Sequence, residues 1–284
     1  MEYTLREKIW NGSLSVRIVL APYELAKSGG TEELLINVSR ISYFPLYMSR
    51  ILDFFFCQGN DGLKINMSDW WLEFDSVPIN WNWPIGLSYD ILTSLDSSNM
   101  ESESESKSPN PWTLVLHGND YPVEQILTYT GESALKSFWL QQSKEACFIR
   151  DGNSKAILSL SKKDTDTLWD GVSQNNYKKF WTIMTTVLPN VEHLKSVPTR
   201  LYLPKSNDVL QKLVKVVNEQ GEFQSVGSVL NQYLPELFPS KRTPLIARPV
   251  LHGILLPMST PLAPLYSFGL YLDGFLHISI VIIT

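Results

Sequence analysis

The sequence predicts an α+β chain in which one ββαββ unit occurs twice around a helix-rich middle, with a short helix leading in. Three observations carry this. Strand-like runs open and close two separate regions: 14–20 and 112–117 bound the first, 199–203 and 275–281 the second. Between them, apolar residues recur at helical rather than strand spacing. With 284 residues, 44% hydrophobic and 19% charged, the chain suits two or three small domains.

The elements follow in order. Residues 3–10 read as a short helix that stops at the turn signal Asn11-Gly12. Two β runs, 14–20 and 34–43, are split by Lys27-Ser28-Gly29-Gly30. Leu46, Ile51, Leu52 and Phe55 have the spacing of a helix over 46–56 that packs across the sheet. Residues 70–74 are strand-like, and Pro84 suits the first turn of a helix over 85–95. The Ser/Glu-rich stretch at 97–108 has almost nothing to bury. It is expected to be a disordered, solvated insertion before the strand 112–117, and its acidic serines also suit acid-directed kinases.

Residues 123–130 are expected to be helical. Over 132–149, Ala134, Leu135, Phe138, Trp139, Gln142 and Ala146 share one face, and Asp151-Gly152-Asn153 ends the helix. Helices over 165–172 and 176–188 rest on the stripes Leu168/Trp169/Val172 and Tyr177/Phe180/Trp181/Met184, and Pro189 stops the second. The second unit then runs as strands 198–203 and 210–217, a helix 226–234 and a mobile Pro/Lys/Arg-bearing loop 235–243. A strand 250–256, a short helix 260–268 and a strand 275–283 complete it, the last entered through Asp273-Gly274.

Several function classes are disfavoured. A net charge of −5 does not suit a broad nucleic-acid surface. Cys57 and Cys147 are too few and too far apart for a disulfide framework. They suit a reducing cytosol and read as buried apolar thiols. Residues 1–10 carry no signal-peptide core, so the Asn-x-Ser triplets at Asn11, Asn37 and Asn66 are read as chance matches. The longest apolar run, 275–283, falls short of the about 20 residues of a spanning helix, so membrane association is expected to be peripheral. G-x-G-x-x-G, P-loop, H-E-x-x-H and G-x-S-x-G signatures are missing. His117, His193, His252 and His277 lack metal-ligand spacing, and neither cysteine stands in a nucleophile motif. No catalytic residue, metal or cofactor is expected.

A ubiquitin-like modifier must present a flexible Gly-Gly carboxylate to be activated. Neither unit ends in one, and Ile283-Thr284 follows directly on a strand, so the chain is expected to be a scaffold or acceptor rather than a donor. An acceptor lysine needs an exposed ammonium. Lys144 lies nine residues beyond Leu135, roughly 180° around a helix, and so points away from the apolar face. By geometry alone it is an ordinary solvated helix lysine, as plain as Lys136 or Lys178.

A set of motifs changes that weighting. Trp10-Asn11-Gly12-Ser13-Leu14 resembles the W-x-G-x-L opening of the autophagy protein 5 family. Trp71-Leu72-Glu73-Phe74 with Pro78-Ile79-Asn80-Trp81-Asn82-Trp83-Pro84-Ile85-Gly86 resembles its most specific block. Phe138-Trp139, Lys144-Glu145-Ala146 and Thr167-Leu168-Trp169-Asp170-Gly171 are similar to its helical centre, and Phe275–Ile280 to its closing strand. The blocks span nearly the whole chain in the family's order, and the composition suggests a yeast-like member. The acidic insertion at 97–108 is not a hallmark of that family.

The resemblance implies two ubiquitin-like β-grasp domains flanking a helix-rich domain, with a short N-terminal helix. The bounds expected are 1–10 for that helix and 11–121 for the first ubiquitin-like domain, with the insertion at about 96–111. They are 122–190 for the helix-rich domain and 197–284 for the second ubiquitin-like domain. It further implies a non-catalytic protein joined through a lysine to the ubiquitin-like modifier autophagy protein twelve, with E1-like and E2-like enzymes as transient partners. By position the acceptor is Lys144; Lys155, which follows a turn and reads more as a loop or strand residue, is the alternative. The conjugate, with the N-terminal helix of autophagy protein sixteen docked between domains, would act like an E3. It would promote transfer of the autophagy protein eight modifier to phosphatidylethanolamine, in the cytoplasm and peripherally on the preautophagosomal membrane. Lys162-Lys163 and Lys178-Lys179 are candidate membrane contacts if they share a face. The alternative is a non-covalent adaptor whose ubiquitin-like folds bind a partner helix.

Overall fold

The computed structural model describes residues 2–25, 33–56, 66–93, 111–204 and 208–283. Cys57, the Lys27–Gly30 loop and the acidic stretch 97–108 lie outside the described residues. The fold is α+β: two ubiquitin-like sheets with a helical bundle between them.

Helix α1 (Glu2–Trp10) leads into β1 (Ser13–Leu20). After the one-turn α2 (Pro22–Leu25) come β2 (Glu33–Ser39) and α3 (Pro45–Phe56), whose Met48, Ile51, Leu52 and Phe55 face the sheet. Strands β3 (Trp71–Phe74) and β4 (Val77–Pro78), helix α4 (Ile85–Thr93) and β5 (Trp112–His117) complete the first unit. The bundle is α5 (Glu132–Asp151), the short α6 (Lys155–Leu158), α7 (Lys162–Ser173) and α8 (Tyr177–Val187). The second unit holds β6 (Ser196–Tyr202), β7 (Val209–Lys215), α9 (Val226–Tyr233), β8 (Ala247–Leu251), β9 (Ile254–Leu255), α10 (Leu262–Gly269) and β10 (Leu276–Ile282).

The two sheets share one topology, β2-β1-β5-β3-β4 and β7-β6-β10-β8-β9. In each, the first strand pairs antiparallel with the second and parallel with the last. Val16 lies opposite Ile36 and Ile18 opposite Leu114 in one; Thr199 lies opposite Lys212 and Leu201 opposite Ile278 in the other. The repeat read from the sequence is therefore real, with a fifth strand in each unit that the sequence did not reveal.

Those extra strands arise at two tight turns. Asp75 and Ser76 have φ of 48° and 64°, and His252 and Gly253 have 53° and 78°. Two consecutive positive φ values make the primed turn that matches strand twist. The run expected as one strand, 250–256, is thus a hairpin. The β run expected over 34–43 ends at Ser39, because the next residues turn into α3.

The segment expected to be helical over 123–130 has only a turn, closed by the Gln125 and Ile126 amides donating to the Pro122 carbonyl at 2.9 and 3.0 Å. Side chains take over a backbone acceptor there: Trp81 Nε1 and the Tyr121 hydroxyl both donate to the Leu127 carbonyl at 2.6 Å. Only Ile126 and Tyr129 of the segment are buried, so helical periodicity has no partner to pack against. Nor is the 235–243 loop loose: Phe238 is fully buried and its carbonyl accepts from Asn231 at 2.8 Å.

Two apolar cores result. One contains Val16, Ile51, Leu114 and their neighbours and stays within the first sheet and its helices. The other runs continuously from Trp10 through Trp139, Trp169 and Phe180 to Leu276 and Ile280, joining bundle and second sheet. Helix α1 seals it: Trp10 packs on Tyr177 and Phe180 at 5.5 and 5.3 Å, and Arg6 lies 4.5 Å over the Trp181 ring while donating to the Ser267 carbonyl.

Candidate functional site

Helix α5 carries the expected acceptor, and its buried stripe fixes how that residue is presented. Leu135, Trp139, Ser143, Ala146, Cys147 and Arg150 are buried, a run of i, i+4 and i+3 steps along one side. Ala134, Phe138 and Gln142, expected on that face, are half-buried at its margin. Trp139 anchors the helix to the second unit by donating Nε1–H to the Leu272 carbonyl at 2.9 Å, and it packs against Trp169 at 5.6 Å.

The C-terminal half is clamped separately. Gln211 donates to Glu145 at 2.7 Å, and Arg200 pairs with Glu145 at 3.4 Å and with Gln142. The Arg200 guanidinium also lies 3.8 Å over the Phe275 ring. Arg150 donates to the Val187 carbonyl at 2.9 Å and pairs with Asp151 at 2.6 Å. Gly152, in the left-handed region at φ 75°, closes the helix by donating to the Phe148 carbonyl at 2.8 Å.

Lys144 sits between these anchors. It is half-buried, less outward than a half-turn from Leu135 predicts, because the chain after the helix folds back beside it. The Ser154 hydroxyl donates to the Lys144 carbonyl at 2.9 Å. The Lys144 ammonium makes no hydrogen bond or ion pair among the described residues, whereas Lys136 is held by Asp166 at 3.0 Å. Lys155, read from sequence as a loop or strand residue, opens the one-turn α6 and is exposed; Asn153 Oδ1 accepts from its backbone amide at 3.0 Å. The two lysines therefore lie on adjoining elements tied through Ser154.

The four candidate membrane lysines are not brought together. Gly171 abuts the backbone of Phe180, so α7 and α8 form an antiparallel hairpin. Lys179 is paired at its closed end with Asp170 at 2.9 Å and Gln174 at 3.0 Å. Lys162 and Lys163 stand at the opposite end of α7, roughly 10–12 Å along the axis from Asp170.

Cys147 is buried, and burial pushes its thiol above the usual range, away from a reactive thiolate. His277 lies in a buried relay. Its Nδ1 is 2.7 Å from the Tyr202 hydroxyl, and its Nε2 is 2.9 Å from Asp273. Burial alone would raise the Asp273 carboxyl, but the charge and hydrogen bond of His277 hold it below the ordinary range. Burial lowers His252 to about 3, so it stays neutral while stacking on Tyr271 at 4.0 Å. No cluster of three metal-ligating side chains occurs among the described residues.

The two units meet at a second buried polar group. Arg40 pairs with Asp90 in the first unit, and Asp90 accepts from the Gly253 amide of the second at 2.8 Å. Burial pushes the Asp90 carboxyl up by more than Arg40 brings it down. Sequence reasoning missed this latch, since no local pattern marks residues 163 positions apart. It also missed a narrow apolar cleft of about 20 Å³ lined by Phe44, Met48, Trp70, Trp71, Trp81 and Tyr129, among others. The aromatic density of 70–83 was the available signal. Trp81 touches α5 through Phe138 at 5.7 Å, so the cleft opens where the first unit meets the bundle.

Comparison with known proteins bears on this arrangement. Residues 9–118 match the family model described as autophagy protein ATG5, UblA domain; residues 132–190 match its alpha-helical bundle region and 196–280 its UblB domain. The chain is 34% identical over 300 residues to Autophagy protein 5 of Phaeosphaeria nodorum, covering 98% of this chain and 96% of that protein. It is 40% identical over 206 residues to the Yarrowia lipolytica protein of that name, covering 70% and 78%. To that of Debaryomyces hansenii it is 32% identical over 292 residues, covering 99% and 96%. The crystal structure of Kluyveromyces marxianus Atg5 has the same fold, with a TM-score of 0.76 at 24% identity, covering 98% of this chain and 99% of that one.

Proposed function

We propose that this chain, which belongs to the autophagy protein 5 family, is the acceptor and scaffold of a ubiquitin-like conjugate rather than an enzyme. Lys144 receives the C-terminal glycine of autophagy protein twelve through an isopeptide bond. The observation that carries this is the state of Lys144 itself. Its ammonium is unpaired, its helix is clamped on either side by Trp139 and Arg150, and Ser154 fixes its backbone. A lysine held in this way presents its amine without first breaking an ion pair, which Lys136 and Lys179 must do.

In this reading the conjugate joins autophagy protein sixteen and works as an E3-like factor. It promotes transfer of the autophagy protein eight modifier to phosphatidylethanolamine at the preautophagosomal membrane, from the cytoplasmic side. The chain contributes no catalytic side chain and no cofactor. The second reading is an adaptor with ubiquitin-like folds that binds a partner helix without a covalent step.

The two readings separate in a reconstitution with the modifier, its E1-like and E2-like enzymes and ATP. A band shift lost in Lys144→Arg supports the acceptor reading. A shift that survives moves the acceptor, with Lys155 the first to examine. No shift in either protein favours the adaptor.

A further inference from the structure

Two large apolar side chains, one on the helix of Lys144 and one on the short helix after it, are not used by the fold. Phe148 is 57% exposed and Leu158 is 64% exposed, and neither joins the core of the bundle. Phe148 follows Lys144 by four residues on α5, so the two side chains lie one above the other on the same side of the helix. Leu158 ends α6, whose start is tied to the Lys144 carbonyl through Ser154, and its own amide donates to the Ser154 carbonyl at 3.0 Å. Cys147 holds the intervening turn by donating to the Asn153 carbonyl at 3.5 Å. Lys144 thus stands where the two elements bearing these side chains join.

We infer that Phe148 and Leu158 form the contact by which a thioester-carrying conjugating enzyme is held while Lys144 attacks. This rests on the reading of Lys144 as acceptor. The occupant follows from the geometry of the reaction. The amine must come within about 3–3.5 Å of the thioester carbonyl carbon, so the enzyme must cover the helical turn on either side of Lys144. Phe148 lies within that turn and is covered with it. The C–N bond forms, the C–S bond breaks, the enzyme's thiol leaves, and the amine gives up one proton; no oxidant or reductant takes part.

The test uses the full chain and an enzyme charged with the modifier. The double variant Phe148→Ser/Leu158→Ser is expected to raise KM for discharge about tenfold, a loss typical of removing an apolar anchor, with kcat little changed. The uncharged enzyme should bind it more weakly by the same factor, and Phe148→Leu should retain wild-type behaviour. Unchanged KM and unchanged enzyme binding, in a variant that melts like the wild type, would overturn the contact. Should the double variant melt lower, Leu158→Ser alone is read in the same way. A wild-type chain that accepts no modifier would overturn the proposed function itself.

Discussion

The two ubiquitin-like sheets share one topology and differ in what surrounds them. In the first, β5 alternates strictly between buried and half-exposed positions, so one face of the sheet meets solvent. In the second, six of the seven residues of β10 are buried, on both faces. Helices α4 and α10 and the β6 neighbour α5 account for the difference, with Trp83 of the first unit packing on Tyr202 at 5.1 Å. The same fold therefore serves as a self-contained module in one half and as the floor of a shared core in the other. Helix α5, which carries the proposed acceptor, belongs to the second kind and is anchored in that core.

The largest effects should come from truncating the two cores separately. Trp139→Ala is expected to cost about 3–5 kcal/mol and Leu114→Ala about 2–5 kcal/mol. Hydrogen exchange should show the first opening bundle and second sheet together while the first sheet stays protected, and the second doing the reverse. Simultaneous loss of protection everywhere in both variants would break the comparison.

Next comes the latch between the units. Asp90→Ala leaves the Arg40 guanidinium buried without its carboxylate and frees the Gly253 amide. A loss of about 3 kcal/mol is expected in denaturant melts, since removing one partner strands the other. A loss no larger than that of an exposed substitution would show that the units hold together without it.

A smaller effect is set by pH and centres on His252 of the second unit. His252 is held neutral down to about 3 when folded, whereas an unfolded histidine takes its proton near 6.5. Between those values the unfolded state binds more protons, so stability falls as pH falls. From pH 7.5 to 5.0 the loss is about 2 kcal/mol. The depressed Asp273 carboxyl acts in the same direction, but only below about pH 4, where the unfolded carboxyl is protonated. His252→Asn, which tolerates the positive φ, should flatten the slope between pH 5 and 7; an unchanged slope would contradict the assignment. The smallest expected effect is that of Lys144→Arg on stability, within about 0.5 kcal/mol.

The contrast between the sheets also explains what could be read in advance. The apolar run closing the chain and the alternating run closing the first unit are visible as sequence because burial on two faces and on one face leave different patterns. The stripes of α5, α7 and α8 are visible for the same reason. Hidden from view were features set by turns and by distant partners. Asp75-Ser76 adopts a primed turn without a glycine, and His252-Gly253 divides what reads as one strand. Residues 123–130 have helical composition, but Trp81 and Tyr121 claim the Leu127 carbonyl. The lysine doublets gave no hint that a hairpin would hold them apart. Lys144 was legible as outward-facing, but its half-burial and its tie to Ser154 depend on α6, which periodicity cannot place.

The most direct test is peptide mapping of the conjugate made with wild-type chain. Mass spectrometry of the tryptic digest should find the modifier's C-terminal remnant on Lys144 alone, with Lys155, Lys162 and Lys178 unmodified. A remnant on Lys155, or a remnant spread over several exposed lysines, would contradict the claim that a clamped helix presents one chosen amine.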